Sequence, residues 1–397
     1  MANKINTDVI VVGAGLVGLA AAITLVLQHK NVVLVSDKPE QQATTILNQD
    51  TWDERVYALT PATEAWLKTI GVWDFIDENR VNSIDSMHIW GAETDLLLSA
   101  SDANIAKLGL IIENQQLMVA LWQQVKKLGV TVVTDARCAK LEYSANEVIL
   151  HIEPAAQTKV SQISAKLIIA ADGLHSWVRQ QAGILVDVKK YNQVAVVANF
   201  LTEKPHQNEA KQWFGAHDVL ALLPLPNQHV SMVWSVSTEK AAQLLALTRE
   251  QLCGHVQTQS QSLLGELKQV GQIRNAVLNQ QTALNLIVER IVLVGDAAHQ
   301  IHPMAGQGVN LGFRDVMKLA QLTTKLHAMQ DIGEHTFLRQ YERARKADMM
   351  SMNSLTSGLD YLFATEQPVL KKLTNWGLQQ ITRQPSLKKR LIQQAVY

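Results

Sequence analysis

The chain has 397 residues, of which 47% are hydrophobic and 18% charged, the proportions of a packed globular protein rather than a disordered one. That length exceeds one ordinary small core and predicts two or three structural units. Lys plus Arg and Asp plus Glu both number 36; the zero balance argues against nucleic-acid binding, which favours a basic excess, and leaves weak repulsion between copies, so a homo-oligomer is compatible with it.

Residues 8 to 27 are rich in apolar side chains. They nevertheless contain Gly13, Gly15 and Gly18 and begin at Asp8, without the basic leader and small-residue cleavage site of a secretory signal. No other stretch reaches the roughly 18 apolar residues of a membrane span. Cys138 and Cys253 stand in no metal-binding spacing. They predict neither a metal site nor a disulfide framework, so a reducing, cytoplasmic setting is expected.

Asp8 to Val12 is a short β-branched apolar run that reads as a buried parallel strand. It leads into Gly13-Ala14-Gly15-Leu16-Val17-Gly18, a G-x-G-x-x-G. Leu16, Leu19, Ala20, Ile23 and Leu27 then recur at helical spacing. Asn31 to Val35 reads as the second strand, with Ser36 at its end and Asp37 one place later. In such a βαβ unit the first glycine makes the tight turn, the second lets backbone approach a pyrophosphate, and the third lets helix and strand pack closely. The helix N-terminus offers free N–H groups to phosphate, and Ser36 or Asp37 would meet a ribose hydroxyl. The unit predicts dinucleotide binding; alone it does not separate FAD from NAD.

Further along, 193–200, 219–225 and 230–236 are short strand-like runs. In the third, Val230, Met232, Trp234 and Val236 face one way, and Ser231, Val233 and Ser235 face the other. That is the alternation of a sheet with one solvated or ligand-facing side. Pro224, Pro226 and Asn227 are expected to form the turn between two of these strands. A second strand-to-turn motif follows, Arg290 to Val294 into Gly295-Asp296-Ala297-Ala298-His299. It continues through His302, Pro303, Met304, Ala305, Gly306, Gln307, Gly308, Val309, Asn310, Leu311 and Gly312 to Asp315. Its glycines would let backbone lie against a flat ligand and start a helix, and Asp296 can accept from a ribose or ribityl hydroxyl; a plain glycine-rich loop has the same composition. His299 and His302 are candidates for acid–base work, though a histidine at a turn more often hydrogen-bonds backbone. Beyond Asp348 the spacing is helical, with a basic tail that includes Lys371, Lys372, Arg383, Lys388, Lys389 and Arg390; a solvated helix face explains it more simply than a membrane contact.

The second motif resembles the signature of the ubiquinone-biosynthesis hydroxylases, part of the wider group of FAD-dependent aromatic hydroxylases. Other segments agree in order: Asp53-Glu54-Arg55 with Ala58-Leu59, Gly71-Val72-Trp73-Asp74, Leu108-Gly109 with Ile112-Glu113-Asn114 and Leu117, and Ala170-Ala171-Asp172-Gly173 with Ser176, Val178 and Arg179. Ile70 stands where that family has leucine. Taken singly, Arg55 reads as a surface ion-pair residue and Asp172-Gly173 as an ordinary turn.

The resemblance implies an α/β chain: a Rossmann-like FAD-binding domain, an inserted antiparallel-sheet substrate domain and a C-terminal helical region. The expected division is 1–75, 106–180 and 276–350 for FAD, 76–105 and 181–275 for substrate, and 351–397 for the helices. FAD would rest on Gly13, Gly15, Gly18, Ser36, Asp37, Arg55, Asn114, Asp172, Gly173, Asp296, Pro303, Gly306, Gln307, Gly308, Val309, Asn310 and Leu311. NAD(P)H would reduce the flavin, visiting transiently, since no second G-x-G-x-x-G is present. O₂ would then supply one oxygen atom to an electron-rich ring, the other leaving as water. The substrate class implied is a polyprenylated phenol of ubiquinone biosynthesis, met at the inner membrane face or within a complex of biosynthetic proteins. No residue identifies itself as a catalytic base. The alternatives are a hydroxylase of a small soluble aromatic compound, marked by an arginine or tyrosine cluster in the cleft, and a non-catalytic FAD-binding scaffold.

Overall fold

A computed structural model of the chain describes residues 3–38, 51–91, 95–153, 160–215, 218–300, 308–327 and 330–364, with Gln384, Ser386, Lys388, Lys389, Arg390 and Ile392. Val9–Val12 is the centre of a six-stranded sheet. Val32–Val35 and Thr131–Val133 lie to one side of it, and Leu167–Ala170, Ile291–Leu293 and Ile287–Val288 to the other. The pairings are parallel except that between the last two strands. The three strands Val9–Val12, Val32–Val35 and Leu167–Ala170 are buried at every position, which is why they read as unbroken apolar runs. Helices Leu16–Leu27, Asn114–Lys127 and Gly308–Thr323 pack together over this sheet. A smaller sheet of Asn3–Asn6, Val160–Ala165, Val148–Glu153 and Arg137–Tyr143 joins the same core through Val148, Leu150, Ile152 and Ile163. Asp8 and Asn31 stand just outside their strands: the Asp8 carboxylate accepts from the Asn31 N–H at 2.9 Å and ties the two strand starts together.

An eight-stranded sheet runs, in order, His299–Gln300, Leu267–Ala283, Val186–Thr202, His229–Ser237, Val219–Leu225, Glu209–Phe214, Ser86–Trp90 and Asp95–Ser99. One face buries Val196, Phe200, Met232 and Trp234 against helices Thr238–Leu245 and Arg249–Gln259. The other faces the parallel-sheet unit. Pro224 lies inside the strand, opposite Val230, and not in the turn expected for it. The turn is made by Pro226, Asn227 and Gln228, the last two with left-handed backbone.

Three expected boundaries fall inside elements, the first at 180, within helix Trp177–Gln181. Strand Leu267–Ala283 runs through position 276, and helix His335–Ala364 runs through 350. The C-terminal helical segment starts earlier than expected because Phe337, Leu338 and Tyr341 on that helix belong to the core under the parallel sheet. Near the far end, Ile392 packs on Leu96, Leu98 and Ala103, and Lys388 pairs with Asp102 at 2.7 Å. Lys371, Lys372 and Arg383 lie outside the described residues.

Candidate active site

The register aligns Val12 with both Ala170 and Val35, and Ala170 with Leu293. Four strand ends therefore open at one edge, releasing the turns at Gly13, Ser36, Ala171 and Val294. Chain order runs outward from Val9–Val12 through Val32–Val35 to Thr131–Val133 and then returns to Leu167–Ala170 on its other side, the switch point at which open α/β sheets leave a crevice for ligand. Between this edge and the eight-stranded sheet lies a cavity of about 1570 Å³.

The three glycines of the first turn have three distinct reasons. A Cβ on Gly13, whose φ is +107°, would sit 2.3 Å from the Ala171 carbonyl oxygen, and one on Gly18 would sit 1.9 Å from that of Gly13. These two hold strand, turn and helix in contact. Around Gly15 there is open space. It is the N-cap of helix Leu16–Leu27, with no side-chain cap and no acidic residue in the first turn, so the helix presents its first N–H groups and positive dipole end without protein competition.

Gly13, Gly15, Ser36, Asp37, Arg55, Asn114, Asp172, Gly173, Asp296, Gly308 and Val309 line this one cavity. Gly18, Asn310 and Leu311 do not. Asn310 instead donates to Ala58 O at 2.7 Å and accepts from the Thr60 N–H at 3.1 Å, tying helix Gly308–Thr323 to the strand Val56–Leu59 and the chain that follows it. Leu311 is buried in the core. Pro303, Gly306 and Gln307, with His302, lie outside the described residues.

His299 is not placed for catalysis. It is buried, its Nε2 lies 2.7 Å from Asp315 Oδ2, and it does not line the cavity. Asp315, wholly buried, also accepts from the Gly295 N–H at 2.8 Å and from Arg345 Nε at 2.6 Å. Burial opposes its charge, but His299, Arg345 and the Gly295 N–H outweigh burial and hold the carboxyl below the usual range. This cluster sets the turn that carries Asp296. Arg179 links the other turns, donating to Ala297 O at 2.9 Å and Leu174 O at 2.8 Å.

The segment Asp53-Glu54-Arg55 is held by Glu113, a member of the Ile112-Glu113-Asn114 motif, and by Arg80, which belongs to none. Glu113 is fully buried and accepts from the Asp53 N–H at 2.7 Å and from Arg80 through two nitrogens at 2.8 Å each. Asp53 in turn accepts from Gln115 N–H at 3.0 Å, at the start of helix Asn114–Lys127. Arg80 had no sequence signal, because its partner lies 33 residues away. The Arg55 guanidinium stands 5.3 Å from the Tyr57 ring centre. Burial pushes the Tyr57 phenol up to about 12, and its hydroxyl donates to Asn114 Oδ1 at 3.2 Å.

Two carboxyl groups face the cavity without a full set of partners. Asp172 accepts from the Val178 N–H at 3.1 Å through one oxygen, while its other oxygen is buried with no partner among the described residues. Asp296 meets solvent through the cavity. Enclosure by protein raises both carboxyls above the usual range. Both would be relieved by hydroxyl donors. An open cradle at Gly15, an uncapped helix end, a cation at Arg55 and two acceptor carboxyls suit a dinucleotide with a pyrophosphate and a polyhydroxylated chain.

The opposite wall is different in kind. Cross-strand pairing lays out Gln212, Ala221, Val233, Val197 and Arg274 as one row, and Val219, Ser235, Ala195 and Ala276 as the next; all of them line the cavity. The wall is mostly small and aliphatic. Its cation, Arg274, is two-thirds exposed and lies 3.6 Å from Glu54.

Fold and site together define an FAD-dependent oxidoreductase with a substrate chamber roofed by an antiparallel sheet. The FAD binding domain family matches residues 6–355. The human ubiquinone biosynthesis monooxygenase COQ6 is 30% identical over 429 residues, covering 97% of this chain and 91% of that protein. The 3-demethoxyubiquinol 3-hydroxylase of Escherichia coli is 31% identical over 399 residues, covering 98% of each. Among solved structures, p-nitrophenol 4-monooxygenase from Pseudomonas putida superposes with a TM-score of 0.78 at 16% identity, over 99% of this chain and 98% of that one. The chain belongs to the FAD-dependent ubiquinone-biosynthesis hydroxylases, and is an aromatic-ring monooxygenase that uses FAD, NAD(P)H and O₂.

Proposed function

We propose that the substrate is a polyprenylated phenol on the route to ubiquinone. The observation that carries this reading is the apolar row of Ala221, Val233 and Val197 facing the cofactor wall, joined to relatives named for ubiquinone biosynthesis across nearly their whole length. A cleft for a small aromatic acid would call for a free cation, and Arg274 is paired with Glu54. The prenyl chain makes the substrate a membrane lipid, to be met at a membrane face or handed over within a complex of biosynthetic proteins. Among the described residues no helix is long and apolar enough to cross a membrane.

The chain's own residues divide the work by wall. Gly13, Gly15 and the end of helix Leu16–Leu27 would hold the pyrophosphate, Ser36 or Asp37 a ribose, and Asp296 the ribityl hydroxyls. Arg55 would offset phosphate charge. Bound FAD would supply hydride acceptance from NAD(P)H and activation of O₂ for insertion of one oxygen atom into the ring. The aliphatic sheet wall excludes water from the reacting ring and presses it against the cofactor wall.

The test is anaerobic reduction of the FAD-loaded enzyme by NADPH and by NADH, with and without a prenylated phenol. Flavin absorbance that bleaches faster with the phenol, and a product heavier by one oxygen atom once air is admitted, are the expected results. Reduction indifferent to the prenylated phenol, but accelerated by a soluble hydroxybenzoate, would overturn the substrate assignment.

A further inference from the structure

We propose that Gln212, assisted by Ser235, is the residue that recognises the ring oxygen of the substrate and so fixes which ring carbon faces the cofactor. The proposal rests on the aromatic-hydroxylase reading above and adds a specificity residue to it.

The case begins with the two rows of the sheet wall. Every cavity-lining residue between Gln212 and Arg274 in the first row is aliphatic, and in the second row the polar member is Ser235. Gln212 is 4% exposed and Ser235 5%. Neither side chain makes a hydrogen bond to any described residue. Their polar atoms are not among those buried without a partner, so they stay open to the cavity, where water lost to a ligand must be replaced by a hydrogen bond. Binding sites characteristically set a few polar groups in an apolar lining to orient what enters.

The neighbouring side chains on the same strand show that Gln212 is not merely a displaced surface residue. Lys211 and Trp213 point to the opposite side of the pleat, where Lys211 pairs with Glu209 and Trp213 stacks on Trp90 at 4.7 Å. One row along the sheet, Ser231 and Asn199 are also polar, but they are fully buried and do not line the cavity. Asn199 is already committed to the Trp52 and Asp53 carbonyls.

The amide is suited to the task in both protonation states of a phenol. Its N–H₂ donates to a phenolate or quinone oxygen, and its carbonyl accepts from a phenol hydroxyl. It carries no charge that would need to be desolvated beside an apolar tail. The Ser235 hydroxyl, in the adjoining row, can serve a second ring oxygen in the same two ways.

The experiment compares a prenylated phenol with its analogue lacking the ring hydroxyl, each titrated into FAD-loaded enzyme and read by the change in flavin absorbance. Wild type is expected to bind the phenol about tenfold more tightly than the analogue, the worth of one neutral hydrogen bond. In Gln212→Leu, which preserves volume, that preference is expected to vanish, and turnover is expected to release H₂O₂ in place of hydroxylated product. Ser235→Ala, a smaller change, is expected to reduce the preference about threefold. A Gln212→Leu enzyme that keeps FAD and still prefers the phenol tenfold would overturn the assignment while leaving the functional reading intact. A wild type that binds neither compound, yet binds a soluble hydroxybenzoate, would instead overturn the functional reading on which the assignment stands.

Discussion

The two walls of the cavity are built on opposite principles. The cofactor wall is made of turns at strand ends, where glycine, carboxylate and arginine each meet a fixed requirement. The sheet wall is made of regular strands, where any small aliphatic residue with the correct alternation would serve. A cofactor of constant shape imposes particular residues at particular spacings; a substrate chamber imposes only texture, broken at a few positions such as Gln212. The contrast implies that single substitutions on the first wall remove stability or FAD, whereas those on the second alter substrate use and leave both in place.

The largest effect is expected beneath the cofactor wall. Asp315→Ala takes from the buried Arg345 one of its two carboxylate partners, leaving Asp348, and removes the acceptor of the Gly295 N–H; a loss of about 3 kcal/mol is expected in urea denaturation. The pH dependence carries the same information. Because the Asp315 carboxyl is held below its usual range, its contribution is present above the unfolded carboxylate pKa and is lost as pH falls through the lower folded one. In Asp315→Asn the acid limb of the stability profile should flatten. Asp172 has the opposite sign. Its raised carboxyl makes stability fall as pH rises from the unfolded value toward the folded one, and Asp172→Asn should abolish that fall.

Next in size come two glycines that look alike in the motif. Gly18→Ala drives a methyl group into the Gly13 carbonyl and should cost about 1–3 kcal/mol of stability. Gly15→Ala meets open space with extended backbone that any residue adopts. It should fold normally and lose FAD affinity about tenfold, close to 1.4 kcal/mol, as the methyl group takes room needed by the pyrophosphate. Thermal denaturation with and without added FAD separates the two; equal behaviour would erase the distinction drawn between them. The smallest effect belongs to the sheet wall: Ala221→Leu should keep wild-type FAD content and thermal stability while raising the KM for substrate several-fold, by narrowing the chamber.

The same contrast explains what could be read from sequence. Val9–Val12, its glycine turn and the helix after it were legible because their cause is local: a buried parallel strand must be apolar throughout, and the turn must be glycine. Asp172 and Asp296 were legible as motif members, and the structure shows why each stands at a strand end. Arg80 was not legible, since its meaning comes from Glu113 across the fold. His299 was legible as a residue more structural than catalytic, but its partner was not: it is held by Asp315, 16 residues on, and not by backbone. Pro224 was read as a turn residue from its type, yet the ladder carries it opposite Val230. The role of Gln212 had no signal at all, because a glutamine is ordinary until its neighbours on the wall are known to be aliphatic.

The clamp on the Asp296 turn has a further consequence for how the protein is made. Tyr341 donates to Leu293 O at 2.9 Å, and Arg345 reaches Asp315 from the same helix. The strand that begins the cofactor site, Val9–Val12, must in turn wait for Leu167–Ala170 beside it. A ribosome delivers the first of these elements long before the last. A nascent chain that has emerged only to residue 330 holds the glycine cradle but not the helix that locks its counterpart, so the cradle can be complete only near the end of translation. The support of the cofactor site thereby includes residues far from any cofactor motif, and a chain truncated before helix His335–Ala364 is expected to hold FAD less tightly than the whole.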